Sequence, residues 1–445
     1  MGAVTDKPTP NPLSDQAGVG LEEQSRLEEL FAEIGRSPLD DRPVRHGVRR
    51  RLPAMIAAAL AVGGGIAAAV LLLGRGEAVP PTSTAATVAE SPPGLVLHSA
   101  VYDPALQAVL VFGGTIQTAE ANMNDRTGAL GELSAETWLY RADSGWARLA
   151  ASEVRPSPRA AHSAAFASDA GLMVVFGGSD SAPVNCQREL VCSDSLLDDT
   201  WVLDPASGAW SQRHPSAGPT ARIGAAMAYD AGAQRVILFG GNSGEGTWTG
   251  NIILDDTWAY DPVTDTWEDR APATAPPGRI FGLMGYDPVS GRILLWGGAS
   301  WENDAVVWAY DYAANSWTSL GDRGAPSARW SAGAAYDTTL QGLVIAGGIG
   351  MTTVEIAAGV SATHVGVIDE AWLFRPDSVS WAPLPAPSTS GVPLQARFAA
   401  AYDQAAGALV AYGGGGSETS TVLFEDDQTA WVDAFPGTED TTTLP

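Results

Sequence analysis

The stretch AYDAGAQRVILFGG, Ala228–Gly241, sets an aromatic–Asp pair, a short reversal, an apolar run and two consecutive glycines in one order. Small residues before the aromatic, turn residues after it and a following apolar run predict two antiparallel strands joined tightly. The order occurs six times, with glycine pairs beginning at Gly113, Gly177, Gly240, Gly297, Gly347 and Gly413. Eleven residues before each first glycine stands an aromatic: Tyr102, Phe166, Tyr229, Tyr286, Tyr336 or Tyr402. Asp follows five of these, and Ala167 follows Phe166. The spacing from aromatic to glycine is constant, although successive units are 50 to 66 residues long. A fixed core with variable insertions marks a repeat architecture.

Each unit continues in the same way. After a variable loop comes a third strand that starts on an aromatic, at Trp138, Trp201, Trp258, Trp308, Trp372 and Phe424. A fourth strand follows with Trp146, Trp210, Trp267, Trp317, Trp381 and Trp431. A single four-stranded sheet cannot bury both faces, whereas radial stacking of such sheets does so and leaves only short edges. The paired aromatics then fill the wedge between neighbours. The glycines end the second strand where a side chain would obstruct the crowded inner region.

These residues resemble kelch repeats, through the Gly-Gly that closes an apolar strand and the Tyr and Trp at their spacings, over residues 95–434. The resemblance implies an all-β fold, a six-bladed kelch β-propeller. Two departures stand out. Phe424 replaces the first Trp of the last unit, whose lead-in is short. The chain also enters on a first strand and leaves on a fourth, so closure of the ring is expected to recruit a strand from the preceding tether or from the tail, residues 435–445.

Ahead of the repeats, RRRLPAMIAAALAVGGGIAAAVLLLGR, Arg49–Arg75, carries no charge between Leu52 and Gly74. As a helix it spans roughly 30 Å, one hydrocarbon core, so residues 52–74 are expected to cross a membrane once. Arg42, Arg45, Arg49, Arg50 and Arg51 flank it on one side and Arg75 alone on the other. The positive-inside rule then puts residues 1–51 in the cytoplasm and the repeats outside the cell. Within residues 1–51, positions 21–34 predict a short amphipathic helix, which offers a face to a cytoplasmic partner. Residues 75–94, rich in Pro, Thr, Ser and Ala, are expected to be a flexible linker. Charges balance over residues 1–75, so the whole formal charge of −26 falls on the remainder. That sign excludes a nucleic-acid binder and suits solubility outside a cell.

Alternation of strand direction places the entrance to each unit and the loop between its second and third strands at one end of the ring, here called face X. The longest insertions, Thr115–Ala135, Ser179–Leu197, Asn242–Leu254 and Ile349–Ile368, all belong to this end. Long loops gathered on one side of a scaffold point to recognition. Arg159, Arg222, Arg279 and Arg329 share one position, seven before the aromatic, with Arg397 offset by two. They form a candidate ring for a carboxylate or phosphate at the channel mouth. The alternative is pairing with acids that start the third strands, such as Asp199, Asp256 and Glu370. Trp248, Trp301 and Trp330 fall outside the repeating positions. They are candidates to stack on sugar rings or anchor a peptide, or else to pack the loops together. Cys186 and Cys192 lie in one insertion and are expected to form a disulfide outside the cell.

His98 and His162 occupy one repeat position, which argues for packing or a hydrogen bond rather than a metal pair. HExxH, GxSxG and phosphate-loop motifs are absent from the sequence. Copper radical oxidases of the galactose oxidase type share the implied architecture, but their Tyr, His and Cys cluster does not assemble here. No catalytic residue, metal or cofactor is therefore assigned. The expectation is a membrane-tethered, extracellular binding module for a protein or glycan. The alternative is a carbohydrate-active enzyme, mutarotase- or oxidase-like, working in the channel mouth.

Overall fold

In a computed structural model of the chain, Ala226–Asp230 and Arg235–Phe239 form an antiparallel pair in which Tyr229 faces Val236 across the ladder. The model describes residues 91–117, 131–181, 184–185, 191–192, 195–244, 252–300, 305–357, 360–386, 397–414, 421–425 and 431–434. Thr257–Asp261 and Thr266–Asp269 complete a four-stranded meander in chain order. The described residues contain six such sheets. Their first strands are Ser99–Asp103, Ser163–Ala167, Ala226–Asp230, Leu283–Asp287, Gly333–Asp337 and Ala399–Asp403.

Burial follows position in the sheet. First strands such as Ala226–Asp230 alternate buried and half-buried residues, because one face turns towards an axial channel. Second strands such as Ala108–Phe112 and Gly342–Ala346 are buried throughout, which is why they are unbroken apolar runs. Six apolar clusters join each sheet to the next. Val175, Trp201 and Trp210 of the second sheet meet Leu110 and Phe112 of the first, and Trp146 of the first meets Val410 and Tyr412 of the sixth. The fourth-strand Trp of one sheet lies against the last aromatic of the preceding second strand. Phe112–Trp210, Phe176–Trp267, Phe239–Trp317 and Trp296–Trp381 have ring centroids 4.7, 5.2, 5.3 and 5.2 Å apart. The wedge expected for these aromatics is thus formed between neighbouring sheets.

The first strands touch in a cycle, the sixth returning to the first. Closure needs no shared strand, because every sheet has four strands of its own. The tether contributes differently from expectation. Leu95–Val96 pairs with Thr115–Ile116, which pairs in turn with Glu132–Leu133, in a small sheet outside the six. Tyr412 Oη donates to the carbonyls of Pro92 and Pro93, at 2.7 and 2.8 Å. Gly414 N–H donates to Leu95 at 3.0 Å. Residues 92–94, assigned to the linker on sequence, are therefore docked on the sheets.

The chain divides into two units, Met1–Pro81 and Thr82–Pro445. The segment expected in the cytoplasm, residues 1–51, the helix expected at 21–34, the span expected at 52–74 and the tail 435–445 lie outside the described residues. No helix among the described residues is long and apolar enough to cross a membrane.

Candidate functional site: the axial channel and its two mouths

The four equivalent arginines are at most 2% exposed. Each guanidinium reaches back into its own sheet. Nη1 of Arg159, Arg222, Arg279 and Arg329 donates to the carbonyl of Gly177, Gly240, Gly297 and Gly347, the first glycine of each pair, at 3.0, 2.9, 2.9 and 3.4 Å. Arg159 grips Asp199 with two bonds of 2.6 and 2.8 Å, Arg222 grips Asp256 at 2.7 and 2.9 Å, and Arg329 reaches Glu370 at 2.7 Å. The same carboxylates accept the indole N–H of Trp201, Trp258 and Trp372 two residues on. For these three arginines the pairing alternative is the one that forms. None of the four lines the channel.

The backbone of the same arginines ties one sheet to its neighbour. The second glycine of the preceding sheet, Gly114, Gly178, Gly241 or Gly298, donates its N–H to the carbonyl of Arg159, Arg222, Arg279 or Arg329, at 2.8 to 2.9 Å. This contact explains the Gly-Gly pair. Gly240 has φ +69°, and a Cβ there would stand 2.7 Å from the Arg279 carbonyl oxygen. Both the left-handed backbone and the close approach require glycine.

Of the three candidate tryptophans, Trp330 is buried with Ile280, Ala299 and Ile349. Its short strand, Arg329–Trp330, pairs with the start of a long hairpin, Ile349–Ala357 and Val360–Val367. Trp248 and Trp301 lie outside the described residues, as does Cys186. The backbone of Cys192 belongs to the short strand Val191–Cys192, paired with Val184–Asn185. Three of the long insertions at face X thus carry hairpins that continue the second and third strands outwards.

Inside the channel, a chain of backbone hydrogen bonds runs from sheet to sheet near face X. Ala161 N–H donates to Leu97, Gly224 to Ala161, Phe281 to Gly224, Arg397 to Ser331, and Leu97 to Arg397, at 2.6 to 3.1 Å. These residues, with Ser331, share positive φ angles of 52 to 68°. Below them a chamber of about 190 Å³ is lined by His98, Ser99, His162 and Arg397 among apolar residues such as Phe281 and Phe398. Ser99 Oγ and His162 Nε2 are 2.9 Å apart. A hydroxyl beside an imidazole is the start of a nucleophilic pair, but two features oppose that role. His162 Nδ1 has no partner to orient the ring. Burial, helped by the charge of Arg159, lowers its pKa to about 3, too low for a base at neutral pH. The contact joins the first sheet to the second, as Ser163 Oγ joins the second to the third through the Ala225 carbonyl at 2.8 Å.

Towards the opposite end, face Y, the channel opens into a bowl of about 430 Å³. Its wall contains all six repeat aromatics, Tyr102, Phe166, Tyr229, Tyr286, Tyr336 and Tyr402. The tyrosine hydroxyls bond to the first turn of the preceding sheet. Tyr229 Oη donates to Asp169 at 2.8 Å and Tyr336 Oη to Asp287 at 2.7 Å, while Tyr286 Oη accepts from Gly232 N–H and Tyr102 Oη from Ala405 N–H, both at 3.1 Å. The sequence shows these aromatics as repeat markers. Their position at the ends of the innermost strands is the signal that they line a cavity. Among the described residues, no group of three or more His, Cys, Asp or Glu is placed to hold a metal ion.

Residues 81–280 match the family model described as the KLHDC2/KLHL20/DRC7 Kelch-repeats domain. Over these residues the repeats match kelch repeats. The kelch region is also similar to a solved structure titled "Structure of YjhT", at 16% identity and a TM-score of 0.52, over 77% of this chain and 98% of that one. At that identity the likeness concerns the fold. Kelch propellers commonly serve as interaction modules, and a fold alone selects no ligand. What distinguishes this kelch domain is how its polar groups are used. The arginines and most repeat tyrosines join strands or sheets; the face X insertions are surfaces the repeat does not explain, and the face Y bowl is a cavity that the repeat aromatics themselves enclose.

Proposed function

We propose that this protein is a six-bladed kelch propeller, held outside the cell by the span at 52–74, that binds a protein partner through the insertions of face X. The observation that carries this reading is the set of paired hairpins at one end of the sheets, which the blades do not need for closure. Loops positioned by a rigid scaffold are where recognition concentrates. A glycan ligand belongs to the same reading if Trp248 or Trp301 stacks on it. The helix at 21–34 would pass the event to a cytoplasmic partner.

The test uses the full chain on intact cells. Protease added outside should remove the propeller and spare an N-terminal tag. Surface cross-linking should capture a partner that is lost when the Ile349–Ile368 hairpin is replaced by a short turn. An unchanged cross-linked species in that variant, and in one shortened between Ser179 and Leu197, would refute face X as the binding end. Turnover of a carbohydrate panel by the same preparation would favour the enzyme reading instead.

A further inference from the structure

We propose that the face Y bowl is a binding site for a small organic cation of the quaternary ammonium class. The site lies at the opposite end from the insertions and does not depend on the face X reading.

Three observations support it. The first is size and wall chemistry. About 430 Å³ falls in the range of small-ligand sites, and the lining is aromatic, Met, Ala and Pro with a few hydroxyls and one amide. Rings of Tyr and Phe attract a cation whose own surface is methyl, through the negative faces of the π systems and through apolar contact. The second is charge. Asp103, Asp230, Asp287, Asp337 and Asp403 directly follow the wall tyrosines and are at most 3% exposed. Most hold turn amides. Asp103 accepts from Ala105 and Leu106, for example, and Asp403 from Ala405 and Ala406. These carboxylates lie close behind the wall, since they add to burial in raising the pKa of Tyr102, Tyr286 and Tyr336.

The third is the lack of a competing cation. Among the described residues no Lys, Arg or His lines the bowl, and its rim residues Pro104, Ser168, Ala231, Pro288, Thr338 and Gln404 are exposed and uncharged. Three arginines of the second and third strands reach this end, where each is bonded, and the charge of Arg235 acts on the Tyr229 hydroxyl. Arg141 and Arg375 bond to the carbonyls of Leu106 and Leu340, and Arg235 pairs with Asp261. Arg397 lines only the chamber nearer face X. A neutral ligand of the same shape would gain the apolar contact without the electrostatic part, so charge is the discriminating feature.

The experiment is isothermal titration of the full chain, purified in a maltoside detergent, with choline and its neutral isostere 3,3-dimethylbutan-1-ol. Choline should bind saturably, the isostere at least about tenfold more weakly, and added salt should weaken choline binding. Ser168→Lys puts a cation on the exposed rim and should abolish choline binding with the melting temperature unchanged. Phe166→Leu removes an aromatic that carries no hydroxyl and should weaken binding about fivefold. Absence of saturable choline binding, equal binding of the two probes, or an unaffected Ser168→Lys variant would each overturn the proposal. If Phe166→Leu fails to fold, the rim variant still decides.

Discussion

The fourth-strand indoles differ in what their N–H finds. Trp146, Trp267 and Trp317 donate to Thr421, Thr200 and Thr257, which share one position in the third strand of the preceding sheet, at 2.7 to 3.0 Å. Trp381 meets Val307 at that place, and its Nε1 is buried without a partner. Val307→Thr supplies the hydroxyl at nearly constant volume and should raise stability by about 1 kcal/mol in denaturant unfolding. Arg222→Ala takes the guanidinium from the Gly240 carbonyl and from Asp256, which keeps only the Trp258 indole N–H. Because Asp256 keeps partial access to water, the expected loss is about 2–3 kcal/mol in the same measurement. Burial holds His98 at about 4 and His162 at about 3, against 6.5 for the free side chain. Above pH 6.5 both states of the protein are neutral at these positions. Below it the unfolded chain binds protons that the folded chain refuses, so stability should fall as pH drops from 6.5 towards 3 to 4. Replacing both histidines with Gln should flatten that part of a melting-temperature profile against pH.

At the level of strands, the Gly-Gly pair and the insertions show how far the sequence could be followed. The fixed spacing predicted a second strand ending in glycine; five of the six strands stop at the residue before the pair, and the second sheet's strand continues through Gly177 and Gly178 to Ser179. Crowding at the inner end is confirmed, but the crowding atom is the carbonyl of an arginine in the next sheet, which lies far along the chain. Gly241 has φ +98°, and a Cβ there would stand 2.9 Å from the Ile223 carbonyl oxygen. Gly241→Ala should therefore cost about 2 kcal/mol, read as a lower denaturation midpoint with unchanged slope. The insertions were legible by length. Their use of Arg329–Trp330 as a third strand against Ile349–Gly350 was not, because that pairing turns a candidate exposed tryptophan into a core residue.

For the whole molecule, a few residues just ahead of the first strand add to the closure made by Trp146, Val410 and Tyr412. Leu97 donates its N–H to Arg397 and accepts from Ala161, which links the last sheet to the first and the first to the second. Leu97→Pro removes that donor and cannot adopt φ +57°. It should lower stability by about 3 kcal/mol or more and broaden the thermal transition as the seam between first and last sheets opens. The six clusters otherwise make one continuous circle, so the parent protein should melt the kelch domain in a single transition.

Sequence alone determined the repeat, because strand order, turn and wedge aromatics are local signals that recur at fixed spacing along the chain. It also determined which acids could meet which arginines, since both positions repeat. Tertiary structure decided which of two roles those arginines take, which tryptophan is buried and which end of the channel opens into a bowl. The reason is physical. Burial, ion pairing and cavity shape depend on atoms that neighbouring sheets bring together, and no spacing within one repeat specifies them.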